Sequence, residues 1–208
     1  MTWENITLQQ FQDIHRLSLT ANIDEIEKLS RVICILYNKT EAQVDEMSIL
    51  GFNELAKDCK KFLSTDTIPG KPVRSFRVGV KKYAINYRPT ELKHRQYVEI
   101  LHFSDKPVEN MHNIMASLVT RVKWGFKIRN KASNHEEIAS DMLNAPLFAV
   151  YHSCVFFCKL YRDLIEHTRD FLIKEMMSKG ATRNQATRLL TNSINAMDGF
   201  IQQSRSLA

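Results

Sequence analysis

From Leu147 to Gly180 the chain reads LFAVYHSCVFFCKLYRDLIEHTRDFLIKEMMSKG, 34 residues with no proline and no glycine before the last position. Such a stretch is too long for a strand and carries too many charges in its second half to span a bilayer. It predicts one helix of about 30 residues, roughly 45 Å at 1.5 Å per residue, with Gly180 as the C′ residue. A rod of that length obliges the rest of the chain to pack along it. Its first half is apolar all round, as for a central core helix. Its second half is amphipathic but tracks a stripe through Leu164, Thr168, Phe171 and Glu175 less cleanly, so it is free to project from the body. A last helix follows in TRNQATRLLTNSINAMDGFIQQ, whose apolar seam is Leu190, Ile194, Met197 and Ile201. These four residues are candidates for an oligomer contact.

The N-terminus also predicts helices. In TWENITLQQFQDIHRLSL, Thr7 and Gln10 have the spacing of a capping box, Leu8, Phe11, Ile14 and Leu17 recur on one face, and Trp3 and Ile6 precede the cap. NIDEIEKLSRVICILYNK follows, with Asn22 as the expected cap and Ile26, Leu29, Ile33 and Leu36 in register. Thr40 caps a short helix in TEAQVDEM. FNELAKDCKKFL adds another, with Phe52, Leu55, Cys59 and Phe62 inward. With only six Gly and five Pro in 208 residues, composition favours helix throughout.

The break at Ser64 to Val73, STDTIPGKPV, leads into the one stretch with a strand-like period. Phe76, Val78 and Val80 alternate with Arg77, Gly79 and Lys81, and Tyr83, Ile85 and Tyr87 alternate with Ala84 and Asn86. This predicts a hairpin whose turn, around Lys81 and Lys82, is a longer loop using Gly79. Thr90 is expected to cap a helix in ELKHRQYVEILHF with Leu92, Tyr97, Ile100 and Leu101 inward. Pro107 opens another in PVENMHNIMASLV, with Val108, Met111, Met115 and Leu118 on one face. Asn134 caps a short helix that ends before Pro146. The fold class is therefore mainly α (α+β): a helical bundle with one small antiparallel β-hairpin and a long C-terminal helix pair. Residues 1–64 form an N-terminal helical unit, 65–160 the hairpin and helical core packed with it as one domain, and 161–208 a C-terminal helical extension.

Charge is unevenly placed. Lys71 to Arg95 carries eight Lys or Arg against the single acid Glu91, a net of +7 that exceeds the +6 of the whole chain. Arg74, Arg77, Lys81, Lys82, Arg88, Lys93 and Arg95 are accordingly candidate contacts for an acidic protein partner. A second run, RVKWGFKIRNK, interleaves aromatics with cations at Arg121, Lys123, Trp124, Lys127, Arg129 and Lys131. It has two readings: a grip on nucleic acid or a partner, or a mobile loop pinned to the core by Trp124 and Phe126. The second is the simpler, since no nucleic-acid module is recognisable.

No catalytic constellation stands out, and an enzyme is not expected. Cys34, Cys59, Cys154 and Cys158 lack CxxC spacing and read as reduced, buried thiols. His152, Cys154 and Cys158 do not have the spacing of a metal site, and His135-Glu136-Glu137 lacks the second histidine of HExxH. No phosphate-binding glycine loop occurs, so no cofactor is expected. Met1 to Thr20 is too polar for a signal peptide, and no membrane association is expected.

Four segments, TWENITLQQFQDI, LYNKTEAQVDEM, KKYAINYRPTELKHRQYVEI and MLNAPLFAVYHSCVFFCKL, together resemble the tail-assembly-chaperone-like proteins of tailed-bacteriophage morphogenesis. They fall between about residues 3 and 160; the basic 121–131 run and the helices after Leu160 are departures. The resemblance implies a non-enzymatic assembly protein, a chaperone or adaptor working through helical contacts in the host cytoplasm. Its partners would be other tail or virion proteins, a long tape-measure-like helical protein among them. Two alternatives stand beside it. One is a virion component, such as a ring-forming head–tail connector or a packaged protein, built as a homo-oligomer. The other is a basic nucleic-acid-binding protein.

Overall fold

The computed structural model describes residues 1–63, 68–123, 126–127 and 134–205. Nine helices and four short strands occur among them: α1 (Leu8–Leu19), α2 (Glu25–Tyr37), α3 (Glu41–Asp45), α4 (Ile49–Cys59), β1 (Ser75–Val78), β2 (Lys81–Ile85), α5 (His94–Phe103), α6 (Met111–Leu118), β3 (Val119–Lys123), β4 (Phe126–Lys127), α7 (His135–Leu143), α8 (Leu147–Ser178) and α9 (Arg183–Arg205). The protein is mainly α with a small antiparallel sheet and a long C-terminal helix pair, as the sequence predicts.

Helix α8 organises the rest. Pro146 stands at its N-cap, and Tyr151, Cys154, Phe157, Cys158, Tyr161 and Ile165 are fully or almost fully buried along it. Phe148 and Phe156 still reach solvent, so even its first half is not apolar on a wholly enclosed surface. At its end Gly180 takes φ +96°, where its N–H bonds Met177 O and that of Ala181 bonds Met176 O. Only glycine adopts this left-handed conformation without strain. The chain then reverses, and Thr182 and Gln185 close a reciprocal capping box at the start of α9.

The second half of α8 does not project. Its buried residues are Ile165, Leu172 and Ile173, while Phe171, on the stripe read from the sequence, is 66% exposed. Helix α9 folds back along it and buries Leu190, Met197 and Ile201 within the chain, with Ile194 half-buried beside them. The seam expected to serve an oligomer is therefore occupied by this chain's own core. The Arg162 guanidinium locks the pair by reaching Asp198 at 2.7 Å.

In the N-terminal segment Thr7 caps α1 and Thr40 caps α3 as expected, each through a Thr-x-x-Gln box. Helix α2 differs: its cap is Asp24, whose carboxylate accepts from Glu27 N at 2.8 Å, and Asn22 lies before it at φ +65°. Ile26, in the first turn, is 69% exposed, and Val32 joins Leu29, Ile33 and Leu36 in the core. Phe52 and Leu55 are half-buried and Cys59 and Phe62 fully buried, so α4 turns the expected face inward. Leu8 N bonds Ala145 O and Leu147 N bonds Ile6 O, tying the N-terminus to the start of α8.

Two helices begin later than expected. Pro89–Glu91 forms a 3-10 turn, so Thr90 is not a cap and α5 starts after Lys93. Pro107 opens a turn, and α6 starts at Met111 with Val108, Met111, Met115 and Leu118 all buried. Asn134 holds the N-cap position of α7.

The sheet corrects the sequence reading most. The β1–β2 turn is the two residues Gly79-Val80, closed by the Val78–Lys81 pair, and Lys81 and Lys82 belong to β2. Gly79 at φ +54° provides the first position of a primed turn, so no longer loop is needed. Within the run read as a loop, residues 121–123 belong to β3 and Phe126–Lys127 form β4, giving a sheet of order β1-β2-β3-β4. In Val119-Thr120-Arg121-Val122-Lys123 one face begins with buried Val119 and continues with exposed Arg121 and Lys123, while Thr120 and Val122 on the other are half-buried. Trp124, Arg129 and Lys131 lie outside the described residues.

Candidate functional site

Register decides which cations share a surface. Arg77 pairs with Lys82, Lys82 with Val122 and Val122 with Lys127, so these positions form one row across the four strands. Neighbouring strands lie about 4.8 Å apart and directly opposed residues share a face. On this face Ser75, Arg77 and Lys82 are exposed and Ala84, Thr120 and Val122 half-buried, so it is open to solvent. The two tight connections, Gly79-Val80 and the one closed by the Lys123–Phe126 pair, lie at the same end of the sheet. Val80 is 94% and Phe126 78% exposed there, so Phe126 does not pin this segment to the core.

The opposite face is committed to the fold. Tyr83, 1% exposed, donates its hydroxyl to Asp141 of α7, and Lys81 Nζ reaches the same carboxylate at 2.7 Å and Glu137 at 3.2 Å. The hydrogen bond to Asp141 and then that to Glu137 raise the Lys81 pKa; burial and the Asp141 contact raise that of Tyr83. Arg121 lies 3.9 Å from Glu137. Lys81 and Arg121, expected at a partner surface, thus fasten the sheet to α7.

The remaining basic candidates disperse. Arg88 pairs with Glu91 at 2.6 Å and Arg95 with Glu99 at 2.5 Å, each on its own turn. Arg74 is exposed before β1 and Lys93 before α5. Arg77 and Lys82 alone among the predicted partner contacts remain side by side on an open surface. The nucleic-acid set is split as well: Arg121 and Lys123 alternate to the face opposite the Arg77–Lys82 row, and Phe126 pairs with Lys123 on that same opposite face.

A second surface was not anticipated from the sequence. Helices α5, α8 and α9 enclose a cleft of about 320 Å³ lined by Tyr97, Val98, Leu101, Leu172, Met176 and Leu189. Val98 is 47% and Leu189 42% exposed at its mouth. Charge gathers on one side, where Lys179 Nζ lies 2.8 Å from Glu175 and 3.1 Å from the His94 ring. Lys179, ahead of the burial that opposes it, holds the Glu175 carboxyl below its ordinary range. The signal available in sequence was Val98, which breaks the polar face of an amphipathic helix, but its neighbour Leu189 lies 91 residues away.

All four cysteines are free thiols; Cys59, Cys154 and Cys158 are buried as expected, and Cys34 is half-buried. Burial pushes the Cys59 thiol up to about 11, and the contact with Cys158 together with burial raises that of Cys154. Thiols so shifted hold almost no thiolate at neutral pH. Among the described residues no three His, Cys, Asp or Glu side chains converge as a metal site, and no helix is long and apolar enough to cross a membrane. No protein-family model, curated protein or solved structure matches the chain.

Proposed function

We propose that this protein is a non-enzymatic assembly protein of the tailed-phage morphogenesis type, a chaperone or adaptor that holds a helical partner against its C-terminal helices. The observation that carries this reading is the apolar cleft between α5, α8 and α9, with Val98 and Leu189 exposed at its mouth. Its volume suits one or two large apolar side chains, and its charged side, Glu175 with Lys179 and His94, suits the polar flank of an amphipathic helix. That is the helix-in-groove mode, in which apolar residues at i, i+3 or i+4 of the guest enter a groove. A long tape-measure-like helical protein, as the sequence resemblance implies, offers such a surface and needs it shielded from water until assembly. The place of action is then the host cytoplasm.

A role on single-stranded nucleic acid draws less support. It requires cations and stacking rings on one surface. Here the described cations are divided between two surfaces: Phe126 shares its face with Lys123 and with Arg121, which is turned to Glu137 at 3.9 Å, while the Arg77–Lys82 row lies on the other.

Co-expression with the large helical product of a neighbouring gene tests the reading. A soluble complex is expected with the unaltered chain and its loss with Val98→Asp/Leu189→Asp; no complex with the unaltered chain would overturn it.

A further inference from the structure

Two surfaces remain that the apolar cleft does not use. The first is the open sheet face, where Arg77 and Lys82 stand directly opposed and exposed. Neither has an ion pair among the described residues. Directly opposed like charges weaken a sheet, so the fold gains nothing from this pair. Val80 projects from the adjoining turn at 94% exposure.

The second is a cleft of about 420 Å³ between α2 and α3, with Ile26 and Val44 on its floor and rim and Asp24, Glu27, Glu41 and Asp45 around it. Its one cation, Arg31, is taken by Glu27 at 2.7 Å. Asp24, Glu41 and Asp45 are left without a cationic partner among the described residues. One surface thus projects an apolar residue beside two unpaired cations, and the other is recessed, part apolar and acidic.

We infer that the open sheet face of one copy docks into the acidic α2–α3 cleft of a second copy, Val80 entering beside Ile26 and Arg77 and Lys82 pairing with Glu41 and Asp45. The match is one of charge and of relief: opposite potentials steer the encounter, and the exposed Val80 and Ile26 supply the area that becomes dry. Because the two halves are different patches, the contact is heterologous and runs head to tail. It is independent of what fills the cleft between α5, α8 and α9.

Sedimentation velocity on the full chain, across concentration and at low and high salt, tests this. Species that grow with concentration and shrink in salt are expected. Lys82→Glu on the sheet face, or Glu41→Gln/Asp45→Asn on the acidic one, should each weaken association by about tenfold or more. An equimolar mixture of these two variants should give a dimer and nothing larger, since each brings one intact half. A chain that stays monomeric overturns the inference. So does association that survives either variant, or a mixture that remains monomeric. If the chain does not self-associate but binds oligothymidylate in a Lys82-dependent way, the face belongs to nucleic acid instead.

Discussion

Arg77 and Lys82 face each other across the β1–β2 ladder, two cations in directly opposed positions. Opposed like charges cost a sheet, and an opposite-charge pair returns roughly 0.2–1 kcal/mol. Lys82→Glu is therefore expected to raise the melting temperature slightly while it weakens self-association. A variant that is more stable and less associated cannot owe its loss of binding to misfolding. Calorimetry beside sedimentation gives both readings on one sample, and a lowered melting temperature would contradict the expectation.

Asp141 holds β2 on α7 by accepting from both Tyr83 and Lys81. Asp141→Ala leaves the buried Tyr83 hydroxyl without its acceptor and the Lys81 ammonium with Glu137 alone, at a cost of about 1–3 kcal/mol. Tyr83→Phe removes only one bond and should cost about 0.5–1.5 kcal/mol. Denaturant unfolding should rank Asp141→Ala as the more damaging. The opposite order would show that the carboxylate is not the hub.

How much of this was legible in the sequence varies with the range of the contact. The caps at Thr7 and Thr40 and the inward Leu8, Phe11, Ile14 and Leu17 depend on residues three or four apart, and they stand where the sequence predicts. The cap of α2 lies two residues later than expected, and Ile26 stands exposed beside an acidic cleft invisible in the pattern. Strand β3 has no apolar alternation to announce it, because Val119 and Val122 lie on opposite faces and Arg121 and Lys123 follow Val119 on its own face. Its partner is also remote, Lys82 meeting Val122 across 40 positions. Lys81 looked like a free contact because Asp141 lies 60 residues on. Local chemistry identifies an element; which surface stays open depends on distant pairings that no local pattern records.

The seam on α9 belongs to the core. Leu190 and Met197 are both completely buried. Met197→Ala should cost about 2–5 kcal/mol. In a chain of this size that lowers the melting temperature by roughly 2–4 °C per kcal/mol. The state of association should not change in sedimentation at temperatures well below melting. A change of assembly without a loss of stability would return the seam to an oligomer contact.

Acid should weaken the fold through His112. The buried Gln12 amide donates to Val108 O at 2.8 Å and Glu109 O at 2.9 Å, and these two carbonyls fix its donor end. His112 Nδ1 lies 3.2 Å from the same nitrogen, which cannot accept, so a proton on Nδ1 would face a donor and the fold favours this ring nitrogen unprotonated. Burial, with Arg16 nearby, holds the His112 pKa below its ordinary 6.5, and burial lowers His15 against the pull of Glu109. As pH falls below about 6.5 the unfolded chain takes up protons first, so stability present above that value is lost as pH falls toward the folded-state pKa. The melting temperature should drop over this window, and His112→Gln should flatten the profile. A wild-type profile level from neutrality to about pH 5 would contradict the burial of a neutral imidazole.

Binding of a helix in the cleft between α5, α8 and α9 is tested most directly by hydrogen exchange on the full chain, free and in complex with its helical partner. Slowed exchange is expected in α5 around Tyr97 to His102 and in α8 and α9 around Leu172 to Leu189, with β1 and β2 unchanged. Protection confined to the sheet, or a complex that leaves these helices exchanging at their free rates, would contradict it.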